Sequence, residues 1–277
     1  AGTSYSVSDV PMLPFYIYYS MFGFQRVGDI AWQAADMRTR GFLLGGTAGR
    51  TTLNGEGLQH QDGHSQVQAG FIPNVRSYDP TFGYEVTVLI QHGMKAMMED
   101  QVDEYWYLTL MNENYAHPEM PAGAETGIIK GMYLLTDAGK PKKGELRVQL
   151  LGSGTILREA IAAAELLDKD FGVTADIWSC PSFNELRRDG FDAERWNRLN
   201  PEAKTPRIAH VTQLLEGRSG PAVAATDYVR AYADQIRAFV PMRYSVLGTD
   251  GFGRSDTRQN LRRFFEVDRH YIAHAAI

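Results

Sequence analysis

"LRVQLLGSGTILREAIAAAELLDKDFGVTADIWSC", residues 146–180, decides the fold. Its first part, "LRVQLLGSG" (146–154), reads as a strand ending at two glycines. "ILREAIAAAELLDKDFG" (156–172) then carries apolar residues at helical spacing and is closed by Gly172. "VTADIWSC" (173–180) is a second strand. A strand, a short turn, a helix and another strand predict two parallel strands joined by a crossover. The alternation continues downstream. "FNELRRDGFDAERWNRL" (183–199) is helical with a break expected near Gly190. "PAVAATDY" (221–228) and "YSVLGTDGFG" (244–253) are strands with polar tips, and 228–240 and 257–267 are helices. The second half is therefore an α/β domain of the doubly wound type, with a mostly parallel sheet.

Upstream, "LPFYIYYSMF" (13–22) is a strand running into a helix, and most of its rings are expected in the core. "FQRVGDIAWQAADM" (24–37) places Val27, Ile30, Ala31, Ala34 and Ala35 on one helical face. Strands are expected at 41–49, 74–80 and 104–111, a helix at 81–98, and a Pro- and Gly-containing loop at 112–125. "TDAGKPKKGE" (136–145) reads as a linker, so the chain divides into 1–135, 136–145 and 146–277.

Composition bounds the function. Among 277 residues, 44% are hydrophobic and 22% charged, enough for a large core. The net charge of -5 supplies no general basic field for nucleic acid or anionic lipid. No apolar run reaches the roughly 18 residues of a membrane span. A lone cysteine, Cys180, rules out an intrachain disulfide and fits a reducing compartment. The N-terminal stretch lacks the basic region of a signal peptide and has no initiator Met, while the far end stops inside an apolar pattern. A piece of a longer polypeptide is expected.

The loop "TTLNGEGLQHQDGHSQ" (51–66) holds the most chemistry. His60 and His64 stand four apart, as helical zinc ligands do. Gln61 and Gly63 nonetheless replace the glutamate of both zincin patterns, and Asp62 and Gly63 favour a turn over a helix, so no metal ligand is assigned. "GGTAGRT" (45–51) falls one residue short of a phosphate loop and has Arg50 in place of lysine. "GSGTIL" (152–157) is placed like a dinucleotide fingerprint, with Asp176 at a distance suited to a ribose, but Leu157 occupies the third glycine position. A tight strand–helix turn is the better reading. Ser153 lies outside any nucleophile-elbow pattern. In "FYIYYSMFGFQR" (15–26), Tyr16, Tyr18 and Tyr19 would need partners if buried, as would Arg26. A flat heterocycle stacked on that strip would account for the excess of rings.

Taken together, "FYIYYSMFGFQR", "GFLLGGTAGRTTLNGEGLQHQDGHS", "LNENY" and "LGTDGFGRSD" closely resemble the homodimeric bacterial pyruvate dehydrogenase E1 component, a thiamine-diphosphate enzyme. The resemblance runs across essentially the whole chain. It implies the later part of a pyrimidine-binding domain, followed by a transketolase C-terminal-type domain. It implies thiamine diphosphate and Mg²⁺ as cofactors, with the Mg²⁺ ligands on an upstream domain. It also implies a homodimer in the cytoplasm, pyruvate as substrate and the E2 dihydrolipoyl acetyltransferase as partner.

By position, Phe22 resembles the ring stacked on the aminopyrimidine and Tyr19 a neighbour lining the cofactor and substrate pocket. Arg26 resembles an arginine of the charged network between the two cofactor sites, and His60 the histidine facing the substrate. Glu56 and Asp62 are assigned support, and His64 a structural role. The chemistry needs such groups: an alkoxide developing on pyruvate requires a hydrogen-bond donor, and a histidine can donate and later exchange protons. Two other readings are open. Transketolases share the architecture but carry "GEDGPTHQP" where this chain has the shorter "GEGLQHQD". A chain of this size could also serve only for dimerisation or for docking on E2.

Overall fold

The computed structural model describes residues 10–277; residues 1–9, part of the N-terminal stretch read above, lie outside them. Two sheets form. In the first, β1 (Phe15–Tyr19), β2 (Phe42–Gly46), β3 (Val75–Tyr78) and β4 (Tyr105–Thr109) are all parallel, in the order β1-β2-β4-β3. Helices α1 (Phe24–Asp36), α2 (Ser65–Ala69) and α3 (Gly83–Met98) join them; α4 (Glu125–Lys130) and α7 (His210–Leu215) lie further along the chain. In the second sheet, β5 (Tyr133–Thr136), β6 (Leu146–Gly152), β7 (Val173–Ser179), β8 (Ala222–Ala225) and β9 (Tyr244–Leu247) lie in the order β5-β7-β6-β8-β9, with β5 alone antiparallel. The chain changes sheet between β4 and β5. Residues 133–135, placed by sequence at the end of the first unit, and Thr136, placed in the linker, therefore lie in a strand of the second sheet.

The stretch 146–180 folds as its pattern dictates. β6 is central and has neighbours on both sides, which suits the burial of Arg147 through Gly152. Helix α5 (Ile156–Leu166) buries Ile156, Leu157, Ala160 and Ala163, one face of a 3.6-residue period. It runs on as a wider turn, Leu167–Phe171, and ends on Gly172 at φ 63°. A Cβ on Gly152 would stand 2.7 Å from Leu157 Cα, so the close strand–helix packing uses the first glycine of the "GSGTIL" turn. Asp176 accepts from Ala138 N (2.9 Å) and Gln149 Nε2 (2.9 Å) and is fully buried, so its carboxylate is spent within the fold.

Three expectations need correction. Helix α6 (Phe183–Leu199) is continuous through Gly190, whose missing side chain admits the Phe239 ring; a Cβ there would lie 2.4 Å from it. The segment 228–240 is only two single turns, α8 (Ala231–Asp234) and a 3₁₀ turn, Arg237–Phe239. There Gln235 Nε2 donates to the carbonyl of Tyr232 (2.7 Å), taking an acceptor that a continuing helix would use. Finally, the aromatic strip is not core: Tyr16 and Ile17 are 65% and 70% exposed, and Phe15, Tyr19 and Phe22 are exposed too. Along α1, only Phe24, Ala31 and Ala35 are buried, while Val27, Ile30 and Trp32 face outward.

The edges of the first sheet differ. Strand β3 is covered by the second unit: Ser182 Oγ donates to the carbonyl of Ser77 (2.6 Å), Asn184 Nδ2 to Ser77 Oγ (2.6 Å), and Arg76 pairs with Glu185 (2.7 Å). Strand β1 has no neighbour beyond it among the described residues.

Three buried carboxylates join the two units. Asp79, at the end of β3, accepts from Thr109 Oγ1 (2.7 Å) and from Ser153 Oγ (2.8 Å) in the β6–α5 turn. A Cβ on Gly154 would meet the same carboxylate at 2.6 Å, so this turn faces an anion of the protein itself. Asp227 accepts from Thr51 Oγ1 (2.7 Å), Thr51 N (3.0 Å) and Thr52 Oγ1 (2.9 Å). Glu85 accepts from Phe82 N (3.0 Å), Ser179 Oγ (2.6 Å) and Tyr133 OH (2.7 Å), closing the start of α3 onto β7 and β5. Arg50, 2% exposed, donates to the carbonyls of Thr249 and Gly251.

Burial pushes the Asp79 carboxyl up to about 7, while its hydroxyl donors oppose the shift and the nearby Asp227 and Asp62 carboxylates add to it. An acid raised in the folded state keeps its proton longer there. Its contribution to stability is full below about pH 4 and is lost as pH climbs through about 7, a change on the order of 4 kcal/mol. Asp79→Asn should therefore flatten the decline in thermal stability between pH 5 and pH 8, measured by scanning calorimetry; an unchanged slope contradicts the assignment. Arg50→Met removes the donor to the buried Thr249 carbonyl and to the Gly251 carbonyl and should cost about 2 kcal/mol in denaturant unfolding.

Candidate functional site

The site lies at the carboxyl ends of β1 and β2, where open parallel sheets present their loops to ligands. β1 ends on Tyr19 and turns through a single 3₁₀ turn, Ser20–Phe22, into α1. A Cβ on Gly23 would stand 2.2 Å from the Tyr18 ring, so a glycine permits this tight passage. β2 ends in Gly46 and leads into the loop 47–64.

Three rings meet there. His60 lies 5.6 Å from Tyr19 and 5.4 Å from Phe22 between ring centroids, and Tyr19 lies 6.1 Å from Phe22 at 82°. These edge and tilted geometries suit aromatic quadrupoles. His60 Nδ1 stands 3.0 Å from Glu56 Oε2, an ion-pair distance without the alignment of a hydrogen bond. Glu56 is half in solvent, with its side chain 48% exposed, so this pair orients the ring more than it stabilises the fold. Of the residues singled out by sequence, Tyr19, Phe22, His60 and Glu56 thus converge. Arg26 is exposed on the first turn of α1 and makes no ion pair or side-chain hydrogen bond among the described residues.

Asp62 is fully buried and caps α2: Oδ1 accepts from His64 N (3.0 Å) and Ser65 N (2.9 Å), and Oδ2 from Ser65 Oγ. Gln25 Nε2 of α1 also donates to Asp62 Oδ1. His64 turns away from His60: its Nδ1 lies 3.0 Å from Arg50 Nη2. A guanidinium only donates, so Nδ1 accepts and the ring proton sits on Nε2. Burial and the Arg50 charge both lower the His64 pKa, consistent with a neutral ring. Among the described residues, no three His, Cys, Asp or Glu side chains come together as a metal cage would require.

The second unit holds the loop in place. Gln61 Oε1 accepts from Arg254 N (2.8 Å), Ser255 Oγ donates to Gly55 O (2.7 Å), Arg258 Nε to Thr52 O (2.8 Å), and Arg258 N to Asn54 Oδ1 (2.6 Å). Sequence reasoning missed this role of "LGTDGFGRSD", because its partners stand about 200 residues away. It also missed Gln25 and the part played by Arg50. Among the described residues, no helix is long and apolar enough to cross a membrane.

Comparison with known proteins adds the family. Residues 1–118 match the family model of the pyruvate dehydrogenase E1 component middle domain, and residues 131–268 that of the transketolase-like C-terminal domain. Among solved structures, the fold is similar to transketolase from Campylobacter jejuni (TM-score 0.70, 19% identity, 95% of this chain and 35% of that one). It is similar also to transketolase from Leishmania mexicana (TM-score 0.69, 17% identity, 96% of this chain and 34% of that one). At such identities the likeness is one of fold. Sequence relatives are nearer. The pyruvate dehydrogenase E1 component of Cupriavidus necator is 64% identical over all of this chain, that of Pseudomonas aeruginosa 63% and that of Escherichia coli 57%. In each case the chain spans 31% of the relative's length. With that identity along its full length, the chain belongs to the family of bacterial pyruvate dehydrogenase E1 components, as a segment of just under a third.

Proposed function

We propose that this chain forms one wall of a thiamine-diphosphate site in an E1-type pyruvate dehydrogenase, and that the whole protein decarboxylates pyruvate and passes the acetyl group to the lipoyl arm of E2 in the cytoplasm. The observation that carries this reading is the Tyr19–Phe22–His60 cluster at the carboxyl end of the first parallel sheet. The residues fit the cofactor. Phe22, 39% exposed, offers a ring face to a planar pyrimidine, and Tyr19 widens the wall. Thiamine diphosphate supplies, when bound, the carbon nucleophile and electron sink that a 2-oxo acid needs to lose CO₂. The Mg²⁺ that accompanies its diphosphate falls to the part of the protein beyond this segment.

His60 does the work of a donor. In its protonated form, with Nδ1 held toward Glu56, the ring presents Nε2–H to the oxygen of pyruvate's ketone as negative charge builds there. Once it has given that proton, the same ring can take one back in the following half-reaction. Tyr19 and Phe22 keep water from that oxygen. Arg26, exposed and unpaired among the described residues, is free to join a charge network with a facing chain. The exposed apolar side chains of β1 and α1, including Tyr16, Ile17 and Ile30, support burial of this face against the rest of the polypeptide and a second subunit. A ketol transferase has only the shared fold in its favour.

In the full-length protein, His60→Ala should lower acetyl transfer from pyruvate by about a hundredfold or more, while the affinity for thiamine diphosphate changes little. Near-normal turnover removes His60 from the chemistry. Calorimetry of the 277-residue chain with thiamine diphosphate and Mg²⁺ should show little binding, since the opposite wall is elsewhere; tight binding contradicts a shared site.

A further inference from the structure

We propose that Gln25 and Asp62 form the gauge of the site: a positioning pair that sets the distance between the aromatic wall and His60. This rests on the reading of the site given above. Phe22 lies three residues before Gln25, and His60 two residues before Asp62. The Gln25 Nε2–Asp62 Oδ1 hydrogen bond joins the two segments. Among the described residues, it is the one hydrogen bond between residues 15–27 and the loop 47–66. Beyond the β1–β2 ladder, which ends at Tyr19 and Gly46, the rings themselves meet only through contacts that are soft in both distance and angle.

The pair is built to hold. Asp62 is fully buried, and its carboxylate is fixed by two backbone N–H groups and the Ser65 hydroxyl, so its position is set before Gln25 arrives. Ser65 Oγ in turn accepts from Tyr107 OH (2.8 Å) of β4, anchoring the acceptor to the centre of the first sheet. On the other side, Gln25 Oε1 is buried with no partner, so the amide is held through its nitrogen alone, and Asp62 is what holds it. A charge-assisted bond from a neutral amide to a buried carboxylate is stronger than a neutral one. It therefore suits a dimension that must not drift. The role assigned is geometric; neither side chain is required to touch the substrate.

The test uses the full-length protein. Gln25→Met keeps the size and removes the donor; Asp62→Asn keeps the shape and weakens the acceptor; the double variant completes a cycle. Gln25→Met should lower kcat about tenfold, with KM for pyruvate and affinity for thiamine diphosphate within about threefold, because misplacement acts on the reacting geometry. The double variant should be no slower than the slower single one. Losses that multiply, or an unchanged kcat in Gln25→Met, overturn the proposal. If Asp62→Asn does not fold, the Gln25→Met kinetics and its crystal structure decide. In that structure, the Phe22–His60 centroid separation should grow by about 1 Å or more; an unaltered separation overturns the gauge. The crystallographic arm reads the gauge even if the wild-type protein turns over no pyruvate, which would instead sink the proposed function.

Discussion

The structure depends on a loop that cannot satisfy itself. Residues 47–64 follow β2 without a regular element, yet much of that stretch is buried. Buried backbone groups demand partners, and a stretch with neither helix nor ladder must borrow them. It borrows from the other unit. Asp227 takes the N–H of Thr51 and the hydroxyls of Thr51 and Thr52, Arg50 reaches the carbonyls of Thr249 and Gly251, and the 254–258 segment closes on Asn54, Gly55 and Gln61. The position of His60 is thus a property of both units together. The second domain, which brings no ring of its own to the cluster, is the scaffold for the histidine.

The same economy explains the charges. Asp62, Asp79, Asp227 and Glu85 are all buried, and most of their partners are hydroxyls and backbone amides. Dipoles of that kind fix a carboxylate's direction, whereas a flexible cation would fix mainly its charge. Burial correspondingly raises Asp79, Asp227 and Glu85 toward protonation. A junction held by such groups is rigid at the pH where its protonation states are settled.

Much of the fold was legible. The alternation from 146 to 180 announced a parallel sheet, a helix was expected at 81–98, and α5 showed its apolar period and its closing Gly172. The loop 51–66 was visible from its glycines, and the resemblance selected Tyr19, Phe22, Glu56 and His60, which the structure brings together. What stayed hidden has physical reasons. A helix over 228–240 follows from periodicity, but the Gln235 side chain claims a backbone acceptor that no pattern records. Gly190 looks like a helix breaker until Phe239 is seen filling its place. The tyrosines of β1 look like core to any rule that equates rings with burial, and the open edge they occupy is defined by strand order alone. Arg50 resembled a spoiled phosphate loop because its true partners are about 200 residues distant.

That open edge carries a liability. "FYIYY" is five residues of high β-propensity with no charge and no proline among them, and among the described residues it offers an unpaired edge beside the apolar side chains of α1. Sheet proteins usually blunt such edges with lysine, proline or a bulge. Among the described residues, β1 has none of these. Stability of the fold does not remove the hazard, because a folded copy still presents the strand's edge N–H and C=O groups, and loss of soluble protein would be felt before any change at the site.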